Sequence, residues 1–201
     1  STDFELRAID TIRDEAVARG ATIAPVHIER VDRIAIGAQA AAEHRALARE
    51  FDIGAQYLWL SEYARRQGLS ELELCIHVDD KAYAAVRALP ASNDEDAGAE
   101  PGLFRFFAFP VLEVSKLEMW QTARTQGFAD LLEQTWFCHI PTRSGRACGF
   151  CGPCRWTHGE GLAHRLTRSA HVRRALDDRL ISRVPSHRLR FALRHQLRVV
   201  S

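Results

Sequence analysis

Four of the chain's five cysteines fall within seventeen residues, Cys138-His-Ile-Pro-Thr-Arg-Ser-Gly-Arg-Ala-Cys148-Gly-Phe-Cys151-Gly-Pro-Cys154. The spacing is C-x9-C-x2-C-x2-C. A two-residue gap containing glycine lets the chain turn back, so that two thiolates meet one ion while backbone N–H groups support the sulfurs. Four thiolates suit a tetrahedral Zn²⁺ with metal–sulfur bonds near 2.3 Å, a closed site that folds a loop and performs no hydrolysis. Three other chemistries compete. Disulfides need an oxidising compartment, and the first thirty residues lack the basic, apolar and small-residue order of a secretory signal. An iron–sulfur cluster shares the C-x2-C-x2-C run but ordinarily adds a downstream Cys-Pro. Redox catalysis by C-x-x-C does not call for four clustered thiols. The pattern therefore points to a metal, zinc first, and is silent about a reaction.

Length and composition set the rest of the frame. The 201 residues, 46% hydrophobic and 26% charged, are those of an ordinary water-facing globular chain with a sizeable core. No apolar run approaches the ~20 residues of a transmembrane helix, which gives an expectation of a cytoplasmic protein without membrane contact. The formal charge of +1 conceals an asymmetry. Residues 155–201 hold eleven arginines, no lysine and only three acids, Glu160, Asp177 and Asp178. A basic tail thus follows an acidic body, and it can bind phosphate-bearing partners or pair with acids of its own chain.

Hydrophobic periodicity predicts helices over residues 2–19, 37–49, 55–67 and 115–126, the first opening on a Thr2/Glu5 capping box and the last on a Ser115/Glu118 box. Glycines 20, 68 and 127 stop three of them. Apolar runs over 21–28 (ATIAPVHI), 71–78 (ELELCIHV) and 103–114 (LFRFFAFPVLEV) read as strands, with Pro25 weakening the first. Residues 90–102 read as a polar, acidic loop. Strands alternating with helices predict an α/β fold with a mainly parallel sheet. Two domains follow: residues 1–134 as the α/β body, and residues 135–201 as the cysteine knob with a helical, Arg-rich tail. Cys75, within an apolar run, reads as a small buried hydrophobe. His139 is a possible but inferior substitute for Cys138. His77 reads as a satisfied core histidine, and Trp136 and Trp156 as apolar support for the cysteine loop.

Thr135-Trp136-Phe137-Cys138, followed by Cys148-Gly149-Phe150-Cys151-Gly152-Pro153-Cys154-Arg155, resembles the zinc motif of the 7-cyano-7-deazaguanine synthase family, T-W-S-C then C-G-x-C-x-x-C-x-x-R. Upstream, Pro110-Val111-Leu112-Glu113-Val114-Ser115-Lys116-Leu117-Glu118 is similar to that family's P-L-x-x-x-S-K-x-E block, and Gly127-Phe128-Ala129-Asp130 to its G-V-D/P turn. The likeness covers residues 1–160 and is specific over 109–155. It implies a fold of the adenine nucleotide α-hydrolase kind with a zinc-bearing appendage on Cys138, Cys148, Cys151 and Cys154. It also implies ATP with Mg²⁺ as cofactor and a deazapurine carboxylate as substrate, adenylated and then carried by ammonia to the amide and nitrile in queuosine-type synthesis. Lys116 would be the catalytic cation, and Ser115, Lys116, Asp79 and Asp80 would line the nucleotide site at a strand-to-helix turn.

The family's S-G-G-x-D-S pyrophosphate loop has no counterpart in this sequence, so the likeness places the first strand and that loop upstream of Ser1, or has them lost. Phe51-Asp52-Ile53-Gly54 stands where the family carries R-N, and Ile76-His77-Val78-Asp79-Asp80 where it carries I-G-x-N-x-x-D. Three functions stay open. One is an ATP-dependent C–N ligase, or a relative redirected to other acceptors in antiphage defence. A second is a scaffold that keeps zinc and has lost catalysis, acting as a homodimer or with an operon partner. The third is a nucleic-acid module that uses Arg165, Arg168, Arg173, Arg174, Arg188, Arg190, Arg194 and Arg198 against phosphates.

Overall fold

Glycine punctuation sets the helix ends in the computed structural model, which describes residues 2–89 and 102–198. The elements run α1 (Thr2–Ala18), α2 (Ala38–Glu50), α3 (Gln56–Gln67), β1 (Leu72–Glu73), α4 (Tyr83–Arg87), β2 (Phe107–Ala108), α5 (Lys116–Thr125), α6 (Ala129–Glu133), α7 (Gly152–Gly159), α8 (Arg168–Leu176) and α9 (His187–Leu197). Gly68 closes α3 at φ 64°, a left-handed conformation that a side chain disfavours. Gly127 follows α5 at φ 79°. α8 and α9 start on Thr167 and Ser186, whose hydroxyls accept the N–H groups of Ala170 and Leu189. The acidic loop expected over 90–102 lies, apart from Gly102, outside the described residues.

The mainly parallel sheet does not form. Helix takes 55% of the described residues, and the only ladder among them is the parallel pair β1–β2, two residues a side, Leu72 opposite Phe107. Local bonding explains the correction. Past β1 the Ile76 N–H turns back onto the Leu74 carbonyl at 2.8 Å. Before β2 the Phe107 N–H is spent on the Phe104 carbonyl, and Pro110 beyond it has no donor to offer. Residues 21–28, the first expected strand, carry no regular structure. Cys75 follows from the same early ending: it is exposed, not buried, while its neighbour Ile76 faces the core.

Two compact units divide the chain, residues 27–116 and residues 2–26 with 117–198. They separate at 26/27 and 116/117, not at the 134/135 boundary read from the sequence, because α1 packs on α6 and Arg19, just past α1, pairs with Asp130 of α6. The first unit is built on Ile53, Tyr57, Ile76, Leu103 and Phe104, with α4 supplying Ala85 and Val86. Each of its large side chains contributes roughly 1.5–3 kcal/mol by leaving water. The second unit has a different centre: Phe150, Leu166 and Ala170 pack around the four clustered cysteines. No helix of the described residues is long and apolar enough to cross a membrane.

Candidate metal centre

The four sulfurs converge. Cys138, Cys148, Cys151 and Cys154 are all buried, and their Sγ atoms lie within 4.8 Å of one another. Cys138 and Cys151 approach to 3.9 Å, as do Cys148 and Cys154. A tetrahedral ion with bonds of about 2.3 Å needs sulfur–sulfur edges of about 3.8 Å, so the cage already has the size and composition to hold a metal ion such as zinc.

The sequence folds this way for local reasons. Gly149 sits at φ 90°, and a Cβ on it would stand 2.1 Å from the Ala170 carbonyl oxygen of α8. Only glycine permits both the turn and that approach. The turn aims the N–H groups of Phe150 and Cys151 at the Cys148 sulfur, 3.4 and 3.3 Å away, while the Cys148 N–H points at the Cys138 sulfur at 3.2 Å. Such donors orient thiolates and moderate their charge. Cys151 then precedes α7, with Pro153 in its first turn, and this brings Cys154 back to the cage. The long gap between Cys138 and Cys148 closes through Thr142, whose backbone pairs with Arg146 and whose hydroxyl accepts the Arg146 N–H.

Electrostatics favour an ion inside. Contacts with Cys138, Cys148 and Cys154 push the Cys151 thiol far down, whereas contacts with Cys138 and Cys151, together with burial, push Cys148 and Cys154 up. Thiols this close can ionise together only around a cation, which removes their mutual repulsion. A divalent ion with four thiolates carries two net negative charges. The offsetting cation is Arg173 on α8, 3% exposed, which donates to the carbonyls of Cys148 and Ala147 at 3.0 Å each. Burial lowers its pKa, and the sulfurs' charge acts in the opposite direction.

Sequence reasoning set Arg173 on a phosphate-facing surface and missed this role; no spacing rule links it to the cysteines. Several other arginines of that surface are also committed to the protein. Arg165 reaches Glu133 and the Thr135 carbonyl, and Arg194 holds the fully buried Asp177 together with Arg155. Arg174 faces Asp178, and Arg198 donates to the Pro141 carbonyl. Trp136 supports the loop as expected, donating to the Cys138 carbonyl at 2.8 Å and stacking on Phe4. Trp156 is 45% exposed and His139 lies on the surface, outside the sulfur cage.

In the unit of residues 27–116, the residues the resemblance assigned to a nucleotide are brought together, but the two acids are engaged with the protein. The Asp79 carboxylate accepts the Lys116 N–H at 3.0 Å, the first of α5. Asp80 accepts the Ala82 N–H at 2.8 Å and the Tyr57 hydroxyl, and burial with the Asp80 charge raises Tyr57 to about 12. Ser115 and Lys116 are also partnered. A carboxylate occupies the position a phosphate would take, with a second beside it, so these side chains do not build a phosphate cradle. His77 is buried, its Nδ1 accepting the Asp79 N–H.

Fold and site define a class, a largely helical protein with a buried four-cysteine group able to hold a metal ion. Comparison of the chain with protein-family models, curated proteins and solved structures finds no match.

Proposed function

We propose that Cys138, Cys148, Cys151 and Cys154 bind one Zn²⁺ and that the ion is structural, organising the unit of α1 and α5–α9 as a binding scaffold. The observation that carries this reading is the burial of four sulfurs with tetrahedral spacing, leaving no open position for a reacting water. Around the ion Arg173, Trp136 and the loop N–H groups satisfy carbonyls and sulfurs, as a permanent site requires. Elemental analysis of the purified chain is expected to give about one zinc per chain. Cys151→Ser should lose the ion and the protease resistance of residues 138–154, because metal binding and local folding are coupled. Iron with visible colour, or a metal-free chain that keeps its near-ultraviolet spectrum, overturns the proposal.

A second reading is an ATP-dependent ligase acting on 7-carboxy-7-deazaguanine, with Lys116 against a phosphate. It is supported by the motif likeness over residues 109–155 alone. No adenylation step follows from these side chains. Release of pyrophosphate from ATP, dependent on the carboxylate, supports the ligase; zinc without pyrophosphate leaves the scaffold reading alone.

A further inference from the structure

The basic tail is not spent entirely on its own protein. On α9 and at its C-cap, His187, Arg190, Phe191, Arg194, His195 and Arg198 recur at helical spacing and line one small cavity of about 120 Å³ together with Ile140 of the cysteine loop. We propose that this face binds single-stranded nucleic acid, with a backbone phosphate at the cavity and a base stacked on Phe191.

Charge, shape and exposure point the same way. Five of these six residues of α9 and its C-cap are cationic or can become so, and no acid lines the cavity. The nearby acids are neutralised: Asp177 by Arg155 and Arg194, Asp178 by Arg155 and Arg174. Arg194 and Arg198 are fixed by Asp177 and by the Pro141 carbonyl, which makes a rigid wall. Arg190, His187 and His195 form no ion pair among the described residues, so their donors can turn to a ligand. At about 120 Å³ the cavity is well below the ~300–1,000 Å³ that encloses a whole small molecule. It suits one group carried on a longer chain. Phe191 is 69% exposed beside it, and aromatic platforms next to basic grooves are how single strands are held without sequence preference. An anionic membrane would call for a broad apolar face along the helix, whereas here the aromatic ring sits within the cationic row itself.

Fluorescence anisotropy on the zinc-loaded full chain, with labelled oligothymidylate and oligouridylate of about twelve nucleotides, tests the proposal. Affinity should fall steeply with salt. Arg190→Ala should reduce the slope of log affinity against log salt by about 0.7, the value of one phosphate contact on a single strand. Phe191→Ala should weaken binding about tenfold and leave that slope unchanged. Thermal unfolding should show both variants folded, Phe191 being exposed and Arg190 half-buried. No binding near 50 mM salt, or full affinity in both variants, overturns the proposal. So does competition by ATP or inorganic phosphate, molecule for molecule as strong as the unlabelled oligonucleotide, which would assign the face to small anions. Binding to phosphatidylserine vesicles with none to oligonucleotide would assign it to membranes and equally overturn it.

Discussion

Gly149→Ala isolates the contact on which the metal loop depends. The substitution adds one methyl group to a residue at φ 90°, and that methyl would stand 2.1 Å from the Ala170 oxygen, 2.7 Å from its carbonyl carbon and 3.0 Å from its Cα. All three are backbone atoms of α8, so no side chain can rotate away. The loop or the helix must shift by about 1 Å, and the helix carries Arg173, whose two bonds hold the loop carbonyls. The left-handed conformation costs about 1–2 kcal/mol for a residue with a side chain. Forcing packed backbone apart adds about 1–3 kcal/mol. The control is Gly127→Ala: φ is 79°, yet nothing lies within 4 Å of the added methyl, so only the conformational cost applies. At roughly 2–4 °C per kcal/mol for a chain of this size, Gly149→Ala should lower Tm by about 4–20 °C and the control by about 2–8 °C. Because metal affinity contains the folding free energy of the loop, competition against a chromophoric chelator should show zinc binding weakened at least tenfold in Gly149→Ala alone. Equal Tm losses in the two variants, or unchanged zinc affinity in Gly149→Ala, would refute the reasoning.

Asp177→Asn should cost about 2–3 kcal/mol in urea unfolding. It removes the charge from a fully buried carboxylate held by Arg155 and Arg194, although both arginines, at 34% and 37% exposure, can recover some water; a loss under about 0.5 kcal/mol would show that the triad contributes nothing net. Glu133 gives a pH dependence. Burial pushes its carboxyl up, but hydrogen bonds from His164 and Trp120 and the Arg165 charge outweigh this, and the result lies below the ordinary 4.5. A depressed folded value means that the stability is present above pH 4.5 and is lost as pH falls through the folded value. Glu133→Gln should therefore narrow the stability difference between pH 7 and pH 3 relative to the parent; an identical acid-unfolding midpoint and slope would count against the assignment.

What the sequence made legible was governed by neighbours close along the chain. Gly68 and Gly127 stop helices because left-handed backbone is a one-residue property, and Cys148, Cys151 and Cys154 meet because two-residue gaps leave little choice. The strands were misread because the apolar runs at 71–78 and 103–114 carry the right residues for a ladder, and whether a ladder extends depends on where each N–H goes. The Ile76 and Phe107 donors go to carbonyls two and three residues back. Alternation alone cannot register that choice, and the exposure of Cys75 is its consequence.

Charge was the other illegible quantity, for a related reason. A surplus of arginines counted along residues 155–201 takes no account of where three acids sit. Asp177, with no exposed surface, engages Arg155 and Arg194, and Asp178 engages Arg155 again with Arg174. Arg173 gives hydrogen bonds to the carbonyls of the metal loop, and the charge of the sulfurs opposes the desolvation of its guanidinium. Arginine suits this work because its donors form a planar fork, which lets one side chain tie a helix to two acceptors at once. The same tail that reads as a polyanion-binding tract is therefore largely the internal scaffold of the metal unit. The nucleic-acid face proposed above rests on what is left over, Arg190, His187 and His195 of α9, which line one cavity.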